Sequence, residues 1–225
     1  MKRLGFLLLG ASLAGCNAQF KPETLVDALR VLAITAEPPE VGPGESAQLE
    51  ILQMDPSRPT GKTTVVWVGC EPDPIDFNRS ACNDASILIK PSLITDYPEG
   101  LKLLGFSKTA VYSSTPGVFD VLPPEDVIRK NGSVGQVIAI VISEEVSVNL
   151  TGDELKRVFE RIEKKEIPTA IALTRIVVSE KAQKNRNPVI STLTFDGALL
   201  PVGARLLVKP GQQVSLGVDV PDSFD

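Results

Sequence analysis

From Ser46 to Leu52 apolar and polar side chains alternate residue by residue. Ala47, Leu49 and Ile51 fall on one face, and Ser46, Gln48 and Glu50 on the other. That period of two predicts a half-buried antiparallel strand. Ala28–Ala36 is rich in aliphatic and β-branched residues and predicts a strand before it. Pro38, Pro39, Gly42, Pro43 and Gly44 break the chain between the two. Thr63–Val68 reads as a third strand and carries the single tryptophan, Trp67. Short strands are expected at Ser86–Lys90, Lys108–Tyr112 and Gly117–Leu122. The apolar run from Val134 to Val148 predicts a long central strand with Ile171–Ser179 as its neighbour. Between these runs the period changes to that of a helix, over about 151–166. Leu155, Val158, Phe159 and Ile162 form one apolar stripe, and Thr151 with Glu154 has the pattern of a capping box. Asp153 and Glu154 complement the helix dipole at its start, Lys164 and Lys165 at its end, and Pro168 stops it. The expected fold class is mainly β: a β-sandwich with one amphipathic surface helix.

The chain also echoes itself. Val41-Gly42-Pro43-Gly44 followed by Leu49 and Ile51 recurs as Val208-Lys209-Pro210-Gly211 followed by Leu216 and Val218, 167 residues later. Each copy follows a candidate strand, Leu29–Ala36 or Val189–Phe195. The expected organisation is a signal segment at 1–15, a tether at 16–27, a sandwich domain at 28–184, and the start of a second sandwich at 185–225. About 40 residues are too few to bury a sandwich core alone. The last segment is therefore expected either to belong to something longer or to add strands to the first domain.

Composition narrows the chemistry. The chain has no histidine, so Ser-His-Asp, Cys-His and His-liganded zinc sites are excluded, and no P-loop, GxGxxG or Gly-x-Ser-x-Gly motif occurs. No catalytic residue is assigned. Glu144-Glu145 is expected within a strand, where neighbouring side chains point apart and make a poor acid–base pair. Without residues 1–15 the chain keeps 21 basic side chains against 28 acidic, a balance of −7. An acidic surface repels phosphate backbones, so nucleic acid is not an expected partner.

Lys2 and Arg3, the apolar stretch Gly5–Leu13, and then Leu13-Ala14-Gly15-Cys16 have the order of a secretory signal ending in small residues. The apolar stretch is too short to span a bilayer, which takes about 20 residues. The cut site resembles the lipobox of bacterial lipoproteins. That resemblance implies a diacylglycerol on the Cys16 thiol, loss of the preceding peptide, and an acylated N-terminus that holds the protein to a membrane. Asn17 next to it implies transfer to the outer membrane of a Gram-negative envelope. Two cysteines then remain, Cys70 and Cys82, with eleven residues between them. In an oxidising compartment such a pair is expected to form a disulfide, with two free thiols or half a metal site as the alternatives.

The β-rich pattern, the Pro/Gly punctuation and the acylation site together resemble bacterial surface lipoproteins built from immunoglobulin-like sandwiches. LRVLAITAEPPEVGPGESAQL and NRNPVISTLTFDG are similar to the openings of their domains. The likeness covers residues 1–70 and 185–225 best. Trp67 is similar in place to the core tryptophan of immunoglobulin domains, whereas Cys70 and Cys82 both follow it and would staple a loop rather than join two sheets. That loop sets hard oxygen donors at Glu71, Asp73, Asp76, Asn78, Asn83 and Asp84. Ca2+ is the cofactor such donors suit, although their spacing matches no EF-hand and Pro72 and Pro74 stiffen the loop. A metal-free binding loop and a plain polar surface loop are the alternatives. The expected function is non-catalytic: a lipid-anchored binding or assembly subunit with envelope-protein partners, in adhesion, motility or secretion. A carboxylate-dependent enzyme acting on carbohydrate or peptidoglycan, and a structural spacer, are the rival expectations.

Overall fold

The computed structural model describes residues 26–75, 100–146, 152–201 and 203–220. Three sheets organise them. The first has the order β1 (Arg30–Glu37), β3 (Ser46–Met54), β6 (Thr109–Ser113), all antiparallel. The second runs β2 (Glu40–Val41), β8 (Thr169–Val178), β7 (Ser133–Ile142), β4 (Thr64–Cys70), β5 (Leu101–Gly105). Matching β1, β3, β4, β6, β7 and β8 to strands A, B, C, E, F and G gives A-B-E facing G-F-C, with β5 in the C′ place. That is immunoglobulin strand order. The chain changes sheet after β1: it bends at the cis Glu37–Pro38 bond, and β2 then pairs in parallel with β8.

The alternating strand behaves as its pattern requires. Ala47, Leu49 and Ile51 are buried, and Ser46, Gln48 and Glu50 face out. They meet Val65, Trp67, Val137, Ala139, Val141, Ile176 and Val178 of the second sheet, with Tyr112 and Phe119 in the same core. Trp67 is fully buried and its indole N–H donates to the Ser107 carbonyl at 2.7 Å. On the other face of that sheet, Val66, Val68, Ile138, Ile140 and Ile142 are covered by α2 (Gly152–Glu163), through Val158 and Phe159 with Ile162 beside them. Strand β4 is thus buried on both faces, which accounts for its unbroken apolar run.

Gly135 on β7 permits the tightest contact of the core. A Cβ there would lie 2.2 Å from the Tyr112 hydroxyl oxygen, so only glycine lets that ring approach.

Several expectations are corrected. Gly117–Leu122 is a series of turns, not a strand, closed by Val118 N–H to Thr115 O, Asp120 N–H to Gly117 O and Leu122 N–H to Phe119 O. The long strand ends at Ile142, so Glu144 and Glu145 lie beyond it. A short helix, α1 (Val127–Asn131), follows the turns, its first amides capped by the Asp126 carboxylate. Ser86–Lys90, Thr151 and the Cys16 region lie outside the described residues.

The third sheet is β10 (Ala198–Leu199), β9 (Thr192–Phe195), β11 (Leu216–Asp219). Here the sequence echo becomes geometry. Gly44 and Gly211 take positive φ, 76° and 80°. Glu45 N–H donates to Gly42 O, and Gln212 N–H to Lys209 O, both at 3.0 Å. Even the side-chain brace repeats: Gly42 N–H to Glu45 Oε2 at 2.7 Å, and Lys209 N–H to Gln212 Oε1 at 3.2 Å. The hairpin register matches too. Leu49 and Ile51 oppose Ala36 and Ile34, as Leu216 and Val218 oppose Phe195 and Leu193.

Candidate functional site

Of the six oxygen donors expected in the loop after Cys70, the structure describes Glu71 and Asp73. Asp76, Asn78, Asn83 and Asp84, with Cys82, lie outside the described residues. Cys70 ends β4 and is completely buried, because β4 runs between two core layers up to that point. Just beyond it, Glu71 is already engaged. One carboxylate oxygen takes the Lys102 ammonium and the Thr115 hydroxyl (2.9 Å), and the other accepts from Thr115 N–H at 3.3 Å. Asp73 accepts from Ile75 N–H at 2.9 Å, and its carbonyl accepts from the Ser133 hydroxyl at 3.2 Å. Glu71 and Asp73 thus pin the loop's first turn to β5, β7 and the end of β6. Among the described residues no group of three or more acidic or cysteine side chains could hold a metal ion.

Beneath this cluster the Tyr112 hydroxyl is buried without a hydrogen-bond partner. Burial first, and the nearby Glu71 charge second, push its phenol well above the ordinary value, so it stays protonated.

A second polar constellation sits where the chain leaves β8, and the sequence pattern did not point to it. Glu40 on β2 is completely buried. The Ser179 hydroxyl donates to its Oε1, the Asn185 amide to its Oε2 at 2.8 Å, and the Lys181 ammonium stands 3.4 Å away. Burial pushes this carboxyl up, but those donors outweigh it and bring it below the usual carboxylate range. Asn187 Nδ2 donates to the Ala36 carbonyl at 2.5 Å and to Glu37 Oε2 at 2.6 Å. Together these bonds fasten residues 179–187 to the β1–β2 bend. Partners some 139–151 positions apart leave no local signal; a carboxylate beside two prolines was the one hint.

The other charged groups also act as fasteners. Arg129 forms two 2.8 Å bonds to Glu180 while its guanidinium caps the Phe119 and Leu122 carbonyls at 3.1 and 2.9 Å, locking the turns over the core. Arg161 of α2 grips Glu144 at 2.7 and 3.2 Å. Glu144 and Glu145 bind separate cations, Arg161 and Lys62. In each case the side chain joins two segments of the fold rather than facing a second carboxylate.

No protein-family model matches this chain, and no curated protein matches it significantly. Among the described residues no helix is long and apolar enough to cross a membrane.

Proposed function

We propose that this protein is a lipid-anchored, non-catalytic subunit of a bacterial cell-envelope assembly, held at the outer membrane through Cys16. The observation that carries this reading is the run Leu13-Ala14-Gly15-Cys16 behind Lys2, Arg3 and a short apolar stretch. A sandwich whose charged side chains brace its own loops supports a presenting role. The loop beyond Cys70 leaves a strand fixed on both faces, and Glu71 and Asp73 set its departure direction. In this reading a Cys70–Cys82 bridge closes the loop, and an envelope protein is its partner.

The test is an affinity pull-down from detergent-solubilised envelopes, comparing the native chain with Cys16→Ala. A defined set of envelope proteins recovered with the native chain and lost with the variant supports the assembly role. A native chain that stays soluble and carries no acyl group by mass spectrometry refutes the anchor. An anchored chain that recovers no partner refutes the assembly role.

A further inference from the structure

The hairpin β9–β11 repeats the β1–β3 hairpin in turn, brace and register, yet its apolar row has the opposite fate. Leu49 and Ile51 are 1% and 5% exposed, whereas their counterparts Leu216 and Val218 are 67% and 56% exposed. In the first copy this row is covered by a second sheet, the one carrying Val65, Trp67, Val137, Ala139, Val141, Ile176 and Val178. The molecule therefore shows what such a row packs against: the apolar face of another β-sheet. Among the described residues ten large hydrophobic side chains between Val189 and Val218 are exposed, more than half of those the chain leaves in solvent. A patch of that kind marks an interaction surface.

We infer that this face is the interface between two copies of the chain, packed sheet on sheet across a two-fold axis. Three strands from each copy give a six-stranded sandwich, close to the seven strands of the smallest immunoglobulin type. The face is self-complementary, as an isologous contact requires. Charge allows it: between Pro188 and Val220 Asp196 and Asp219 balance Arg205 and Lys209, while the whole chain carries −5. Two copies meet here without the repulsion that any other face of an acidic protein would impose. An interface of ordinary stability takes about 20–30 residues a side, which this segment supplies. The inference goes beyond the anchoring role and does not depend on it, because the surface lies at the opposite end of the sequence from Cys16.

The experiment is sedimentation velocity on the full chain carrying Cys16→Ser, which cannot be acylated there. A concentration-dependent dimer is expected at tens of micromolar. The double variant Leu216→Glu, Val218→Glu should be monomeric at the same concentration. Leu173→Glu, on the exposed face of β8, should leave the dimer intact. Trp67 fluorescence reports whether the first sandwich stays folded in each variant. Hydrogen exchange across residues 192–219 should slow as wild-type concentration rises. A wild-type chain that sediments as a monomer with concentration-independent exchange overturns the inference, and so does a dimer that survives the double substitution.

Discussion

Replacing Tyr112 by Phe should make the protein more stable. The hydroxyl is buried and unpartnered, with the Gly135 backbone pressed against it. A buried polar group without a hydrogen bond costs about 1–3 kcal/mol relative to leaving it in water. Phe keeps the ring in the core with Trp67 and Phe119 and removes that cost. The expected gain is about 1 kcal/mol, or a rise in Tm of roughly 2–4 °C for a chain of this size. Gly135→Ala should act in the other direction. Its Cβ would fall 2.2 Å from the hydroxyl oxygen and 2.8 Å from Cζ, and such overpacking costs about 1–3 kcal/mol. In the Tyr112→Phe background the first clash vanishes and the second stays. The two substitutions should therefore couple by at least about 0.5 kcal/mol. Urea denaturation followed by fluorescence of Trp67, the single tryptophan, measures all four forms. An alkaline arm adds a sign. The folded phenol titrates above its ordinary value of 10.0, so its contribution is whole below that pH and is lost as pH rises further. Tyr112→Phe should remove that loss. A Tyr112→Phe protein less stable than wild type by more than about 1 kcal/mol would refute the reasoning, because the hydroxyl would then have a partner.

Glu40→Gln should destabilise the fold at pH 7 by about 1–3 kcal/mol, since the Ser179, Asn185 and Lys181 donors lose a charged acceptor. The folded carboxyl lies below its ordinary value of 4.5, so wild type holds this contribution above that pH and loses it as pH falls through the folded value. Denaturation curves of the two proteins should converge in acid; a constant gap would show that the charge is irrelevant. Phe159→Ala should cost about 3–5 kcal/mol by opening the layer between α2 and the second sheet, read as a lowered urea midpoint. Non-reducing peptide mapping should recover Cys70 joined to Cys82, and recovery of both as free thiols would remove the staple from the loop.

Patterns that obey one period were readable in the sequence. Ala47, Leu49 and Ile51 gave up β3 because one face is core and the other solvent. The α2 stripe was equally plain, as Val158 and Phe159 sit under it. Runs buried on both faces, β4 and β7, were readable by length and apolarity alone. Misreadings arose where distant groups decide. Gly117–Leu122 has the apolar residues of a strand, but Arg129 satisfies the Phe119 and Leu122 carbonyls that a ladder would otherwise need. Strand β5 escaped notice because it is an edge strand with Leu101 as its buried residue and a glycine at its end. The Glu40 network was invisible, since its partners come from the far side of the sequence. The echo was visible as letters; that its apolar row is left uncovered needed the coordinates.

The crossover from β1 to β2 sets how the sandwich answers a pull. β2 and β8 run parallel, one near the start of the domain and the other at its end. Tension between the two ends drags β2 backwards and β8 forwards, sliding them lengthwise past each other. The bonds from Val177 N–H to Pro39 O and from Ser179 N–H to Val41 O are then strained together, in shear, and cannot open one after another. The donors around Glu40 bridge the same two strands and share the load. Force thus travels along one edge of the second sheet and largely bypasses β4 and the loop that follows it. The domain can be stretched at its ends while the loop keeps its shape.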